Sequence, residues 1–458
     1  MKYTHLHYCL MAAAIGATGS APALATNGYF THGIGTHSKA MAGAGDAMPS
    51  MAIDSANNPA SGVLVDEQLD LGLAIFSPRR EYTVSPSQLN GAMGAFSLDA
   101  GKVESGSEYF PIPYVAKNWR LSDTSALTLS FYGRGGMNTD YTAGSATFDP
   151  DGPGPAPVMS LPGTFGAGVT GVNLNQAFLE LTYSFTLADS LALGFGPIIA
   201  YQLFEAEGLM TFAPYTKTFA ASGGTAFPEN LSNNGSDDSV GVGVKLGAIW
   251  NVSEAFALQT AYQSKISMSE FDDYSDLFAQ AGGFDIPATA RVGASIETMP
   301  GLKFHLDIEK TFYSSVDSIA NALATVGMCP TAGLGGMDIE SCAGGDRGFG
   351  FGWDDVTVYQ MGAEWTPDSS RGITWRVGYS VSEQPISAAD VLVNILAPAT
   401  VEEHFTFGVS MNRDNGHQMS VALMYAPQKS VSGPNLFDPT QQIELAMDQF
   451  EIEFAYSF

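Results

Sequence analysis

The sequence predicts an all-β protein: a 14-stranded antiparallel transmembrane β-barrel with an N-terminal plug in its lumen. Three observations carry this. Apolar residues alternate with small polar ones over about ten residues at a time, the period of a strand with two different faces. Charged residues are 14% of the chain against about 25% in soluble domains, while Gly numbers 51 and the 28 Phe, 18 Tyr and 5 Trp are equally abundant. Nothing after residue 25 approaches 18 unbroken apolar residues, so any membrane crossing must be made by strands.

Residues 1–25 read as a secretory signal. Lys2, His5 and His7 form a weak positive start, an apolar stretch runs from Cys9 to Ala17, and Ala23 to Ala25 supply a small-residue cleavage site. Cleavage removes Lys2 and no acid, leaving 18 of the 19 basic side chains against 47 acidic ones, a net charge of −29. No basic stripe is available to neutralise phosphates, so no nucleic-acid partner is expected. The destination that fits an exported, helix-free, aromatic-rich chain is the outer membrane, with its lipid as a partner and a monomer as the expected state.

Residues 26–66 contain "GAGDAMPSMAIDSANNPASG", too small to build a core and too apolar to be a solvated tail. A wide barrel needs something to fill its lumen. Short helices and turns from this stretch would do so, burying their modest apolar surface against the wall and pairing their own backbone groups.

Residues 67–458 carry the strands. The clearest is the last, "FEIEFAYSF", with Phe450, Ile452, Phe454, Tyr456 and Phe458 on one face and Glu451, Glu453, Ala455 and Ser457 on the other. An apolar face opposite Gly, Ser, Thr and Ala suits lipid on one side and a lumen on the other. Lipid satisfies no open edge, so the sheet must close. Fourteen such segments fall near 68–82, 105–118, 122–143, 170–186, 189–204, 238–251, 254–268, 287–297, 301–313, 354–366, 371–382, 402–413, 416–428 and 448–458. Short turns such as "LADS" and "TMPG" alternate with long connections near 83–104, 136–170, 205–237, 269–286, 314–353, 383–401 and 429–447. Short turns at one end and long loops at the other put both chain ends on the periplasmic side.

Strand phasing aims Glu180, Lys245, Arg291, Glu297, His305, Asp307, Glu309, Glu364 and Arg376 at the lumen, since a charge on the lipid face costs about 2–4 kcal/mol near the midplane. Lys245, Arg291 and Arg376 are candidates to attract a ligand carboxylate; the other reading pairs them with the acids just named. In the loops, Leu209, Met210, Phe212 and Phe219, with Leu277 and Phe278, could form an external hydrophobic groove, or pack loop on loop. Cys329 and Cys342 are expected to form a disulfide, since an oxidising compartment favours it and two Cys without a nearby His cannot complete a metal site. Asp272, Asp273 and Asp276 read as a solvated acidic loop in preference to a Ca²⁺ site. No G-x-S-x-G or H-E-x-x-H occurs, so no enzyme, cofactor or metal is expected.

The stretch "GYFTHGIGTHSKAMAGAGDAMPSMAIDSANNPA", followed by "YFPIPYVAKNW", "FGWDDVTVYQMGAEW…ITWRVGYSVSEQPI" and the terminal Phe458, resembles the FadL/TodX type of outer-membrane transporters across the mature chain. The resemblance implies a hatch inside the barrel, a kinked third strand opening a lateral gap, and a groove between external loops. By it, Gly43, Gly45, Asn58, Pro59 and Ala60 belong to the hatch, with Asn58 to Ala60 facing the kink. Gly133, Gly135 and Gly136 are where the third strand would bend, because Gly weakens a ladder and permits bulges. The implied function is passive uptake of long-chain fatty acids or similar hydrophobic molecules; the alternatives are aromatic or aliphatic hydrocarbons, or a general porin.

Overall fold

A computed structural model describes residues 27–149, 157–330, 336–367, 372–413 and 416–458. The expected signal peptide, 1–25, lies outside the described residues. The barrel strands are β1 (Gln68–Val84), β2 (Phe110–Ser122), β3 (Ser125–Tyr141), β4 (Thr170–Ala188), β5 (Leu191–Glu207), β6 (Asp237–Ser253) and β7 (Phe256–Gln263). They continue as β8 (Thr289–Met299), β9 (Leu302–Thr311), β10 (Val356–Trp365), β11 (Ile373–Ser382), β12 (Glu403–Asn412), β13 (Gln418–Asn435) and β14 (Asp438–Ser457). Each pairs antiparallel with its sequence neighbours, and β1 closes the ring on β14 from Asp70↔Ser457 to Val84↔Ile443. Closure pairs both sides of every strand over most of its length, as a bilayer requires, with one interruption between β2 and β3.

The outward faces are apolar and bare. Leu71, Leu73 and Ile75 on β1, Val240, Val242, Val244 and Leu246 on β6, and Phe450 and Phe454 on β14 are 37–64% exposed, which only a lipid surround makes favourable. Trp250, Trp365 and Trp375 stand near the short turns, and Tyr201, Tyr425 and Phe450 toward the long loops, the two aromatic girdles of such a barrel.

Strand ends differ from expectation in three places. The second strand begins at Phe110, not 105, and the seventh ends at Gln263, with Ser267–Met268 pairing separately to β6. The connection expected at 429–447 is not a loop: β13 and β14 run on as one hairpin to a turn at 436–437. The reason lies in β14. Within the membrane its outward residues are Phe450 and Phe454, and its inward ones Glu451 and Glu453. Beyond it, Gln442 and Glu444 face out while Ile443, Leu445 and Met447 are buried. Above the bilayer the outer face meets water and the inner face meets packed loops, so amphipathicity inverts without a change of secondary structure.

Residues 27–66 fill the lumen. They form a helix, α1 (Thr36–Ala40), and two 3₁₀ turns, Ala52–Ala56 and Pro59–Leu64. Ala42, Ala44, Ile53 and Ala60 are fully buried although the segment has no core of its own, because the wall supplies one. Gly43 and Gly45 have φ of 93° and 112°. A Cβ at Gly43 would stand 2.2 Å from Gln360 Nε2, so both backbone angle and space demand glycine.

Candidate functional site: a plugged lumen and a break in the wall

The plug is tied to the wall by buried charges. Lys39 of α1 lies 2.9 Å from Glu451 and 2.7 Å from Glu453 on β14, and Glu453 also accepts from Thr36 Oγ1 at 2.7 Å. Arg291 of β8 bridges Asp46 of the plug and Glu309 of β9, the latter at 2.6 Å. Asp307 accepts from the Gly45 N–H at 2.8 Å and from Gln259 Nε2 at 2.8 Å. Lys245 pairs with Glu180 at 2.9 Å and donates to the Ala56 carbonyl at 2.5 Å. Arg376 pairs with Glu364 at 2.6 Å, which also holds Lys303 at 3.0 Å. All three candidate carboxylate ligands are thus in ion pairs, the arrangement in which buried charges are tolerated. Glu297 alone of the predicted inward charges sits at the rim, accepting from the Gly301 N–H.

Asn58 to Ala60 do not face the bend in β3; that expectation is corrected. The Asn58 side chain donates to Gln259 Oε1 at 3.0 Å and to the carbonyls of Ala248 and Thr260 on β6 and β7. Pro59 reaches this corner because Gly194 and Gly247 carry no side chain. A Cβ on Gly194 would be 2.1 Å from the Pro59 carbonyl oxygen, and one on Gly247 would be 2.0 Å from Asn58 Oδ1.

What faces the bend is the segment Tyr29 to Thr31. β3 slips register against β4 between Gly133 and Gly135, making Arg134 the extra residue of a bulge. Arg134 points inward, pairs with Glu309 from across the lumen, donates to Gln263 at 3.2 Å, and covers the Phe30 ring at 4.4 Å. The Thr31 N–H donates to the Arg134 carbonyl at 2.8 Å, the Gly136 N–H donates to the Tyr29 carbonyl at 3.1 Å, and Phe30 forms a bridge with Gly135. The plug therefore occupies an edge of β3 that its neighbour leaves free.

That neighbour is β2. Its ladder to β3 runs from Ser122↔Ser125 to Tyr114↔Tyr132 and stops, while its ladder to β1 continues to Phe76↔Phe110. Pro111 and Pro113 explain the stop: two prolines two apart remove two donors from one edge of the strand. Gly133, Gly135 and Gly136 stand opposite.

A cavity of about 430 Å³ opens at this break. Its lining combines plug residues (Gly28 to His32), wall residues on both sides of the gap, and Trp353 and Ala397 to Ala399 from the loops. Outward-facing Phe131, Tyr201 and Leu203 belong to the same lining, so the cavity reaches the lipid-facing surface. The volume falls within the ~300–1,000 Å³ of small-molecule sites.

A second cavity, about 50 Å³, lies among the loops. Leu209, Phe212, Leu277 and Phe278 line it, together with Phe204 and Leu396. Met210 and Phe219 do not; Met210 is exposed, and Phe219 packs on Phe227 at 5.4 Å. One buried strap, Val391–Ala399, contributes to both cavities: Leu392, Val393 and Leu396 line the smaller and Ala397 to Ala399 the larger. The Thr139 hydroxyl on the Leu396 carbonyl and Trp353 Nε1 on Asn394 Oδ1 hold it, both short bonds (2.8 and 2.6 Å). Sequence reading missed this strap, although an apolar run "VLVNILAPA" inside a surface connection marks it. It also missed Arg134, an inward-phased Arg between glycines. Nearby, Cys329 and Cys342 are disulfide-bonded, and the Ser341 hydroxyl and Arg347 hold the Asp338 carboxyl below its ordinary range.

With this geometry in view, comparison with known proteins is decisive at the family level. The sequence pattern of the outer membrane protein transport protein family (OMPP1/FadL/TodX) matches residues 12–435. The chain belongs to that family. Its place is the outer membrane, and the family's business is transport of hydrophobic compounds. No curated protein matches the chain. The P. putida toluene transporter TodX superposes with a TM-score of 0.63 at 15% identity, covering 93% of this chain and 98% of that one. A Pseudomonas aeruginosa FadL homologue gives 0.60 at 15%, covering 94% and 98%, and the Ralstonia pickettii toluene transporter TbuX 0.58 at 16%, covering 93% and 98%. At these identities the likeness is one of fold.

Proposed function

We propose that this protein takes hydrophobic molecules from outside the cell, passes them through the apolar space beneath the loops, and releases them sideways between β2 and β3 into the membrane. The carrying observation is the interrupted β2–β3 ladder with a 430 Å³ cavity reaching lipid through it. A plugged bore supports lateral exit over axial passage, and over a general porin. No energy source is needed, since apolar surface moves from water into lipid. The similarly folded TodX and TbuX are toluene transporters, which keeps aromatic hydrocarbons beside long-chain fatty acids as substrates. We read the protein as a channel, not an enzyme: His305 lies 2.7 Å from Ser295 Oγ, but both are buried behind the plug.

The test is a cross-link over the gap. A Cβ on Gly133 would be 2.9 Å from Ile112 Cγ2, so Ile112→Cys with Gly133→Cys are within bonding reach. In a Cys329→Ala, Cys342→Ala background, oxidation should abolish uptake of a labelled fatty acid and reduction restore it. Uptake that ignores the cross-link overturns lateral release.

A further inference from the structure

Six Lys and Arg side chains are buried among the described residues: Lys39, Arg80, Arg134, Lys245, Arg291 and Arg376. Five have a carboxylate within ion-pair distance. Arg80 has none. It is 7% exposed, lies on β1 above the lateral opening, and lines the 430 Å³ cavity. One Nη bonds the Ser107 carbonyl, the guanidinium sits 5.5 Å from the centroid of the Phe110 ring, and Nε–H has no partner among the described residues. The carboxylate in the same lining, Glu451, is held by Lys39. Glu108 acts on Arg80 only from beyond ion-pair distance; a buried cation without a directly paired counter-charge is costly, and a guanidinium is shaped to receive a carboxylate.

Its height matters as much as its charge. On β1 the outward residues change from Leu71, Leu73 and Ile75 to Arg79, Glu81 and Thr83, so the outer membrane boundary crosses the strand just below Arg80. The opening between Phe110–Pro113 and Gly133–Gly136 lies below that boundary, at the level of lipid tails.

We propose that Arg80 is the head-group site for a carboxylate-bearing amphiphile, holding the anion at the interface while the tail leaves first through the β2–β3 opening. This rests on the lateral exit proposed above and goes further, assigning an anionic substrate class and an orientation. A neutral hydrocarbon would leave Arg80 unsatisfied.

Dodecanoate and dodecanol serve as probes, with binding measured on full-length protein in a detergent-free amphipol. The wild type should bind dodecanoate at least ~10-fold more tightly than dodecanol. Arg80→Met should weaken dodecanoate about 10- to 100-fold and leave dodecanol within about twofold, and Arg80→Lys should keep most of the preference. Retained dodecanol binding reports that the variant is folded. Equal wild-type affinities for the two probes overturn the proposal whatever the variants do, as does equal loss of both in Arg80→Met. Phospholipid that dodecanoate fails to displace, found by mass spectrometry, overturns the assignment to a free carboxylate. Should the Ile112–Gly133 cross-link block uptake while Arg80→Met shows no discrimination, lateral exit stands and the head-group site falls. Should the cross-link leave uptake unchanged, both fall.

Discussion

Arg134 covers the ring of Phe30 at 4.4 Å, so a side chain from the bulge in β3 holds the plug segment that occupies the strand's free edge. The same guanidinium is paired with Glu309, which Arg291 also contacts. Arg134→Leu removes one partner from a buried ion network, a change that costs about 3–5 kcal/mol, and the cation–π contact adds about 1 kcal/mol. The expected outcome is a lower unfolding temperature in detergent, read by heat-dependent gel mobility. A cysteine replacing Thr31 should also react faster with a maleimide in that background; unchanged labelling would mean that Arg134 does not secure the segment.

Gly247→Ala tests the plug from the wall side. The added methyl would meet Asn58 Oδ1 at 2.0 Å, and Asn58 would lose its bonds to Gln259, Ala248 and Thr260. About 2–3 kcal/mol of plug anchoring goes with them. Sugar permeation in reconstituted vesicles should rise above the wild-type level, and further still when residues 27–60 are deleted. If the deletion leaves permeation at the wild-type level, the plug does not seal the bore.

Lys245 separates a structural ion pair from a ligand contact. Lys245→Met strands Glu180, at 1% exposure, and should cost about 3 kcal/mol. The double change Lys245→Met with Glu180→Leu should recover most of that loss, since an apolar pair of similar volume often replaces a buried salt bridge without penalty. Fatty-acid affinity should stay within about twofold in the double variant. A large drop in affinity with recovered stability would assign Lys245 to the ligand after all.

The Cys329–Cys342 loop should fray in acid. The Asp338 carboxyl is held below its ordinary range by Ser341 and Arg347, and Glu340 by the Asp346 N–H and Lys217. A carboxylate with a depressed pKa in the folded state contributes stability above its unfolded pKa, near 4, and loses it as pH falls through the folded value. Pepsin cleavage in this loop should therefore climb as the pH drops below about 4. Cys329→Ser with Cys342→Ser should raise it further, because the bond's constraint on the unfolded loop is about 3 kcal/mol. A pH-independent cleavage pattern would show that these carboxylates do not brace the loop.

Strands were legible in the sequence wherever one face met lipid and the other the lumen. That is why segments such as 170–186 and 371–382 lie within a few residues of β4 and β11. The outer half of β14 was not legible, because its apolar face turns inward there. The ends of Lys245, Arg291 and Arg376 were legible as inward, and pairing with the inward acids was one of two readings, but which acid meets which cation was not legible. Arg134 and Glu309 are 175 residues apart, and no local spacing pairs them.

By itself, the order of residues determined a closed cylinder with a small-residue N-terminal filling, because alternation and the need to satisfy backbone groups in lipid are local demands that every strand repeats. Only the tertiary structure decided which plug residues meet the bend, which carboxylate neutralises each lumen cation, and that Arg80 is left without an ion-pair partner. Those outcomes depend on distances across the bore, set by how fourteen strands stagger as they close.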